Sequence, residues 1–436
     1  MSRSIQNDSG KPMEKQRGGL TRNAALITFT SLAGWTLVNM DGSFFTFSYP
    51  LIQKDLHLST QQISYIYTGI FIIGAFATFI FGPILDRLGR KPVFQFSLLA
   101  TALGSLLSGL SFNFASLFLF RGITQIGGSA EWMAGQVMVA EEAASHNRGW
   151  WIGFAQIGWP VGWFIASLIS LLVVPTLGWR WLFVIGVVPA LFVLWVRRNV
   201  KETERFQDLK RIREGSDQNR EKATFKVDTK KVDKLTYAQL FGKDLVRTSI
   251  LIFLWQLIYN YGAASIIDWL PSIFMQHHLA ISSLYATSAW ATGIAILGYL
   301  SAAYLGEKLG RREVSATYLI VGAICGVFLA QSNTWLAITA FYSLYYFFAI
   351  GQMGAAVAFA LESFPTRARG TGGTLLSVAT WVGFIAAGYT GPVLFNNLGL
   401  GKSVFVWTVV CSVIPGILAL GTKRVHPGTQ LEDIVI

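Results

Sequence analysis

Apolar residues gather into twelve long stretches, near 26–50, 62–82, 93–112, 115–138, 150–173, 181–197, 248–271, 283–305, 314–332, 335–360, 371–395 and 403–421, with short polar segments between them. A helix crosses a bilayer with roughly 20 apolar residues, so each stretch predicts a membrane span. Six lie before one long polar segment and six after it. The other connections are a few residues long, which makes successive helices antiparallel neighbours. The first stretch follows a polar lead and is too long for the core of a signal peptide, so no cleaved leader is expected.

The two sets of six repeat one another. Asp86-Arg87-Leu88-Gly89-Arg90-Lys91 recurs as Glu307-Lys308-Leu309-Gly310-Arg311-Arg312, an offset of 221 residues. Glu141 with Arg148-Gly149 maps at the same offset onto Glu362 with Arg369-Gly370, and Pro50 onto Pro271. A duplicated set of membrane helices, with the charged signature in a tight loop of each copy, accounts for all three. The chain then divides into an N-terminal bundle, 1–197, a basic linker, 198–246, and a C-terminal bundle, 247–436.

Composition sharpens this picture. With 53% hydrophobic and 13% charged residues, the chain reads as an integral membrane protein. Its formal charge of +12 would suit nucleic acid if it were clustered on a soluble domain. Instead, of the 35 Lys and Arg, only Lys54, Arg121, Arg180 and Lys402 fall outside the N-terminal tail, the alternate loops on one side, the linker and the C-terminal tail. Positive charge on short cytoplasmic loops sets orientation, so both termini are expected in the cytoplasm. The linker is rich in charge and poor in large apolar residues, so it builds no core of its own; it is expected to meet anionic lipid headgroups rather than nucleic acid. Within it Leu235, Leu240, Phe241 and Leu245 are spaced for a weak amphipathic helix on the membrane surface.

Cys325 and Cys411 both fall inside apolar stretches and read as small hydrophobes. His277 and His278 are adjacent and point different ways, which suits no metal site. No Walker-type phosphate loop is present, so no ATP, metal or other cofactor is expected. A polytopic enzyme would need a nucleophile, a metal cluster or a His/Asp pair near the interface, and none stands out.

The loop signature, the twofold repeat and the layout of six plus six spans together resemble the major facilitator superfamily of secondary transporters. More narrowly the chain is similar to the bacterial acid:proton symporters of that superfamily, carriers of aromatic acids, sialate and related metabolites. Four features carry the narrower likeness: Asp41-Gly42 in the first span; Arg121 with Glu131 and Glu141 at ten-residue steps; Tyr261-Gly262 with Trp269-Leu270-Pro271; and Glu362-Ser363-Phe364-Pro365-Thr366-Arg367-Ala368-Arg369-Gly370. Two positions depart from the pattern. Phe44 stands where the group often carries a second acid, and Trp159-Pro160 replaces the Gly-Pro of the antiporter signature, although Gly158 and Gly162 are present. The resemblance implies an all-α membrane protein with 12 transmembrane helices in two pseudo-symmetric six-helix bundles, a bacterial inner-membrane location and a monomer. It also implies that Asp86, Arg90, Glu141, Arg148, Glu307, Arg311, Glu362 and Arg369 form networks that hold the cytoplasmic side closed.

Charges inside the bilayer are costly and mark function. Asp41, Arg121 and Glu131 fall well within spans, and Asp268 nearer the outer end of the seventh. At 1.5 Å per residue, Asp41 and Arg121 reach a similar level, and Glu131 lies ~15 Å nearer the cytoplasm. A guanidinium matches a carboxylate with a planar fork, which suits Arg121 to the carboxylate of a small organic anion and leaves Asp41 or Glu131 to carry a proton. The other reading of Asp41 and Arg121 is a fixed ion pair between two helices. Gln125, Gln156, Trp159, Tyr259, Asn260, Tyr261 and Gln352, with Tyr345 and Trp381, are candidates to line the cavity. The expected activity is proton-coupled uptake of a small organic anion; a proton-coupled drug or metabolite exporter of the same fold is the alternative.

Overall fold

The computed structural model describes residues 22–142, 148–203, 207, 240–242, 245–364 and 369–424, which are helical with no strand among them. The first half comprises α1 (Arg22–Asp55), α2 (Thr60–Leu88), α3 (Arg90–Gly109), α4 (Phe114–Glu142), α5 (Arg148–Gln156), α6 (Gly158–Leu177), α7 (Arg180–Ile185) and α8 (Val188–Asn199). The second comprises α9 (Val246–Asp268), α10 (Leu270–Gln276), α11 (Ile281–Leu309), α12 (Arg311–Ala330), α13 (Trp335–Tyr345), α14 (Met353–Glu362), α15 (Arg369–Leu398), α16 (Leu400–Phe405) and α17 (Cys411–Leu420).

Several predicted spans are broken rods, and proline explains most breaks. Pro160, Pro189 and Pro271 have no N–H for the carbonyls of Gln156, Ile185 and Ile267, so the helix interrupts between α5 and α6, α7 and α8, and α9 and α10. Between α13 and α14 the interruption is a π-helical turn, Tyr346–Ile350. The start of α2 is set by a capping box: Ser59 accepts from the Gln62 backbone at 3.1 Å while Gln62 accepts from the Ser59 backbone at 2.8 Å.

Nine helical stretches among the described residues are long and apolar enough to cross a membrane. The predicted first and fourth spans, α1 and α4, are 34 and 29 residues long but are not among the nine. They carry Asp41, Arg121 and Glu131 with several Ser, Thr and Gly, which lower their hydropathy. The sixth is a shorter apolar stretch, Arg180–Val196.

The duplication is written in the backbone. All described residues with positive φ form three pairs at the 221-residue offset: His57 and His278 (both 52°), Gly89 and Gly310 (103° and 107°), Gly178 and Gly399 (84° and 77°). Gly89 and Gly310 turn the chain between two helices within one residue, in a conformation a β-carbon would strain.

The halves meet along two seams, α6 on α11 and α2 on α15, which the repeat interchanges. Towards the end away from the charged turns, aromatic rings close the junction: Tyr49 lies 6.2 Å and Tyr67 6.0 Å from Trp269, and Phe47 5.8 Å from Tyr285. The Tyr49 and Ser272 hydroxyls hydrogen-bond at 2.7 Å across the same junction. Leu235 and most of the linker lie outside the described residues. Leu240 and Leu245, expected on a surface helix, are instead buried in the core, and the Leu240 carbonyl accepts from Ser249 Oγ at 2.9 Å. Of these three leucine and phenylalanine positions only Phe241 is exposed, at 67%.

Candidate functional site

Helices α1 and α4 pack side by side and place Asp41 and Arg121 face to face. Arg121 Nη1 donates to Asp41 Oδ2 at 2.9 Å, with side-chain exposures of 4% and 0%. The guanidinium also lies over the rings of Phe45 (5.1 Å) and Phe183 (5.7 Å), so part of its charge faces aromatic π-clouds. The pair is only half satisfied: Asp41 Oδ1 and Arg121 Nε are buried with no hydrogen-bond partner. It sits within the first half, where a β-carbon on Gly186 would come 3.0 Å from Asp41 Oδ1.

Glu131, three turns further along α4, is 1% exposed, and neither carboxylate oxygen has a hydrogen-bond partner. It fits against α1 because Gly34 lacks a side chain. A β-carbon there would lie 2.6 Å from both Glu131 Oε1 and the Phe94 ring. Asp41, Arg121 and Glu131 therefore share the seam between α1 and α4.

The remaining candidates separate into two groups. Gln125, Trp159 and Trp381 reach the junction of the halves. Trp381 Nε1 donates to Thr78 Oγ1 at 3.0 Å, Trp381 and Gln125 both crowd Gly74, and Trp159 lies 6.3 Å from the Tyr346 ring. Tyr259, Asn260, Tyr261, Tyr345 and Gln352 have described partners only in the second half. Tyr259 stacks on Trp255, Asn260 donates to the Gln256 carbonyl at 2.7 Å, and the Tyr261 hydroxyl meets Thr390 at 3.0 Å. Gln352 is fully buried and accepts from Ser315 at 2.5 Å, and Tyr345 lies beside Ser412. Gln156 is buried at the end of α5.

One residue at the junction escapes the sequence reading of the cavity. Asp268 ends α9 just before the Pro271 break and is 7% exposed, and its carboxylate makes no hydrogen bond or ion pair among the described residues. Tyr49 and Tyr67 of the first half pack on the ring of the next residue, Trp269, at 6.2 and 6.0 Å. Phe45, which lies under the Arg121 guanidinium, packs on Tyr67 at 5.2 Å. The signal available in the sequence is an intramembrane acid adjoining a proline break; the tyrosines alone are indistinguishable from interface anchors.

At the charged turns the repeat is reproduced in contacts. Arg90 donates to Glu141 through Nε (3.1 Å) and Nη2 (2.8 Å), and Arg311 pairs with Glu362 and Glu307. Both arginine–glutamate pairs are related by the 221-residue offset, and each lies within one half. Glu141 also accepts from Thr203 at 2.5 Å, and Glu202 from the backbone of Arg90 at 3.2 Å, tying the end of the first half to this network. The side chains of Asp86, Arg148 and Arg369 lie outside the described residues.

Residues 24–303 match the family model described as Major Facilitator Superfamily. The niacin transporter NiaP of Acinetobacter baylyi is 26% identical over 419 residues, covering 92% of this chain and 94% of that protein. The sialic acid transporter NanX of Escherichia coli is 26% identical over 390 residues, covering 88% and 91%. Among solved structures, the xylose transporter XylE from E. coli in its inward open conformation aligns with a TM-score of 0.72 at 16% identity, over 94% of this chain and 99% of that one.

Proposed function

The chain belongs to the major facilitator superfamily, and from that premise we propose that it carries a small organic anion into the cell together with a proton, by alternating access to a site between its halves. The half-satisfied Arg121–Asp41 pair is the observation that supports this most. A guanidinium with a spare donor, held by a carboxylate with a spare acceptor, is suited to exchange partners. An arriving carboxylate competes with Asp41 for Arg121, and the displaced Asp41 is stable in its buried place only if it takes up a proton. Anion and proton then move as one neutral load.

Glu131 is the second carrier in this reading. A carboxylate with no partner is tolerated there only when neutral or when the seam opens to water, so it hands the proton on towards the charged turns. Gln125, Trp159 and Trp381 line the route at the junction. The Arg90–Glu141 and Arg311–Glu362 pairs stiffen the ends of the two halves at the cytoplasmic face and favour its closure. The positive charge of the alternate loops supports cytoplasmic termini in a bacterial inner membrane, with the linker against anionic lipid and a single copy as the working unit.

Names of relatives support the substrate class: niacin and sialic acid, named for two of them, are both carboxylic acids. An exporter of cations is the second reading, favoured by three buried acids, Asp41, Glu131 and Asp268, in the described helices. Uptake of labelled niacin and sialic acid into proteoliposomes under an imposed pH gradient tests the first reading. Accumulation that collapses when the gradient is dissipated supports it, and efflux of organic cations without acid uptake supports the second.

A further inference from the structure

At the end away from the charged turns the two halves are packed differently. In the first half Trp179 and Arg180 stand at the start of α7. Trp179 is 6% exposed, meets Phe183 edge-on at 5.8 Å and donates to Asp55 at 3.3 Å. The Arg180 guanidinium covers the Trp179 ring at 4.3 Å and donates to the Ser111 carbonyl at 3.1 Å. At the 221-residue offset Trp179, Arg180 and Phe183 become Leu400, Gly401 and Val404. The backbones still meet in the same way. A β-carbon on Gly109 would lie 3.1 Å from the Arg180 carbonyl, and one on Gly401 3.1 Å from the carbonyl of Ala330, the counterpart of Gly109. An indole, a guanidinium and a phenyl ring have thus given way to two small aliphatic groups and a hydrogen.

The space left is a cavity of about 160 Å³, bordered by Leu400, Gly401 and Val404. Its walls include Ile266, Leu270, Ile273 and Ile338, all buried, and Tyr342, whose hydroxyl is engaged by Tyr346 at 2.8 Å. His277, Ser332 and Asn333 supply its polar lining, and Asn333 is exposed. Every lining residue belongs to the second half, so the cavity is separate from the junction between the halves. None is Asp, Glu, Lys or Arg, and a charged ligand would be buried there without an opposite charge. An empty cavity forfeits the contacts its lining could make, and one of about 150 Å³ with aliphatic and aromatic walls holds benzene.

We propose that this cavity binds a small uncharged aromatic molecule, a single six-membered ring with a hydroxyl directed to Ser332 and Asn333, which takes the place of the ring that Trp179 supplies in the first half. The site goes beyond the transport reading and does not depend on it. Leu270 and Ile273 of its wall belong to α10, the same short helix whose Ser272 hydroxyl meets that of Tyr49 across the halves at 2.7 Å. An occupant therefore braces α10 where it helps to close this end of the junction.

The probe is para-fluorophenol, and its binding to the purified full-length protein in lipid nanodiscs is followed by fluorine NMR. One saturable site is expected. Phenol displaces the probe, whereas cyclohexanol, of similar size but not flat, and benzoate, which is charged, compete about tenfold less well. Leu400→Trp and Val404→Phe place the residues of the first half at the equivalent positions and fill the cavity. Each is expected to weaken the probe about tenfold with an unfolding midpoint no lower than the parent's. Phenol is expected to slow hydrogen exchange at the amides of 270–276 several-fold in the parent and not in Leu400→Trp. Absence of a saturable site, or binding indifferent to both substitutions, overturns the proposal. Cyclohexanol or hexanol competing as well as phenol, a comparison that needs no variant, overturns it in favour of a cleft for any apolar group, a lipid tail included. Probe binding without slower exchange in 270–276 overturns the bracing of α10.

Discussion

Arg121 Nη1 lies 2.9 Å from Asp41 Oδ2, and the pair joins α4 to α1 where both side chains are almost wholly out of solvent. Removing one member of a buried pair leaves the other charge uncompensated at a cost of about 3–5 kcal/mol, whereas a conservative change tests function more cleanly. Arg121→Lys keeps the charge and loses the planar fork. The protein is expected to insert and fold, while its affinity for the transported acid falls about tenfold, a loss of about 1.4 kcal/mol. Equilibrium binding of labelled acid to purified protein checks this.

Close packing next to the pair gives a second expectation. A β-carbon on Gly162 would sit 2.4 Å from the Thr36 carbonyl and 2.9 Å from the Met40 amide of α1, both backbone atoms that cannot swing away. Gly42, beside Asp41, has nothing within 4 Å of that position. Gly162→Ala is therefore expected to cost about 1–3 kcal/mol by overpacking and to impair transport, with Gly42→Ala close to the parent in both. Thermal unfolding followed by tryptophan fluorescence, with uptake on the same samples, separates the two.

The seam between α1 and α4 was legible in the sequence because charges inside apolar stretches are rare and helical rise fixes their level. The repeat was legible for the same kind of reason: a tight turn with Gly89 or Gly310 needs particular residues. His57 and His278 adopt positive φ at the same offset, yet histidine does not announce that conformation. Rotation about the helix axis was harder to read. Tyr259, Asn260, Tyr261 and Gln352 have described partners within the second half, and spans apolar all round carry little record of which side faces the junction. Asp268 ends its helix at the side away from the charged turns, as the sequence suggests, but its burial follows from the packing of the two halves, which no local pattern encodes.

At the charged turns, Arg90–Glu141 and Arg311–Glu362 occupy equivalent places. Arg90→Glu and Glu141→Arg are each expected to raise cysteine labelling of the junction from the side of the turns several-fold, and the double exchange to return it towards the parent value. The coupling energy in stability is expected at about 1–3 kcal/mol. Labelling equal to the parent in both single variants would leave these residues as anchors of the turns alone.

Beyond the opposite end of the bundle, the Arg180 guanidinium beside Asp55 holds its carboxyl below the ordinary carboxylate range, aided by Trp179 Nε1 at 3.3 Å. A depressed carboxyl stabilises the fold above the pKa of the unfolded chain, about 3.9, and the gain is lost as pH falls through the lower folded value. Because both side chains are nearly half exposed, the effect is limited to about 0–1 kcal/mol. Asp55→Asn is expected to lower the unfolding midpoint slightly at pH 7 and not at pH 3, as differential scanning fluorimetry across pH would register.

Proton coupling through buried carboxyls in the first half is the central claim. The most direct test uses proteoliposomes in which only a pH difference is imposed and accumulation of the labelled acid is followed, beside exchange at equal pH. Asp41→Asn and Glu131→Gln remove the sites that must alternate between charged and neutral forms, so each is expected to abolish pH-driven accumulation while exchange continues. If both variants still concentrate the acid against its gradient, the proton does not travel through these residues and the account is contradicted.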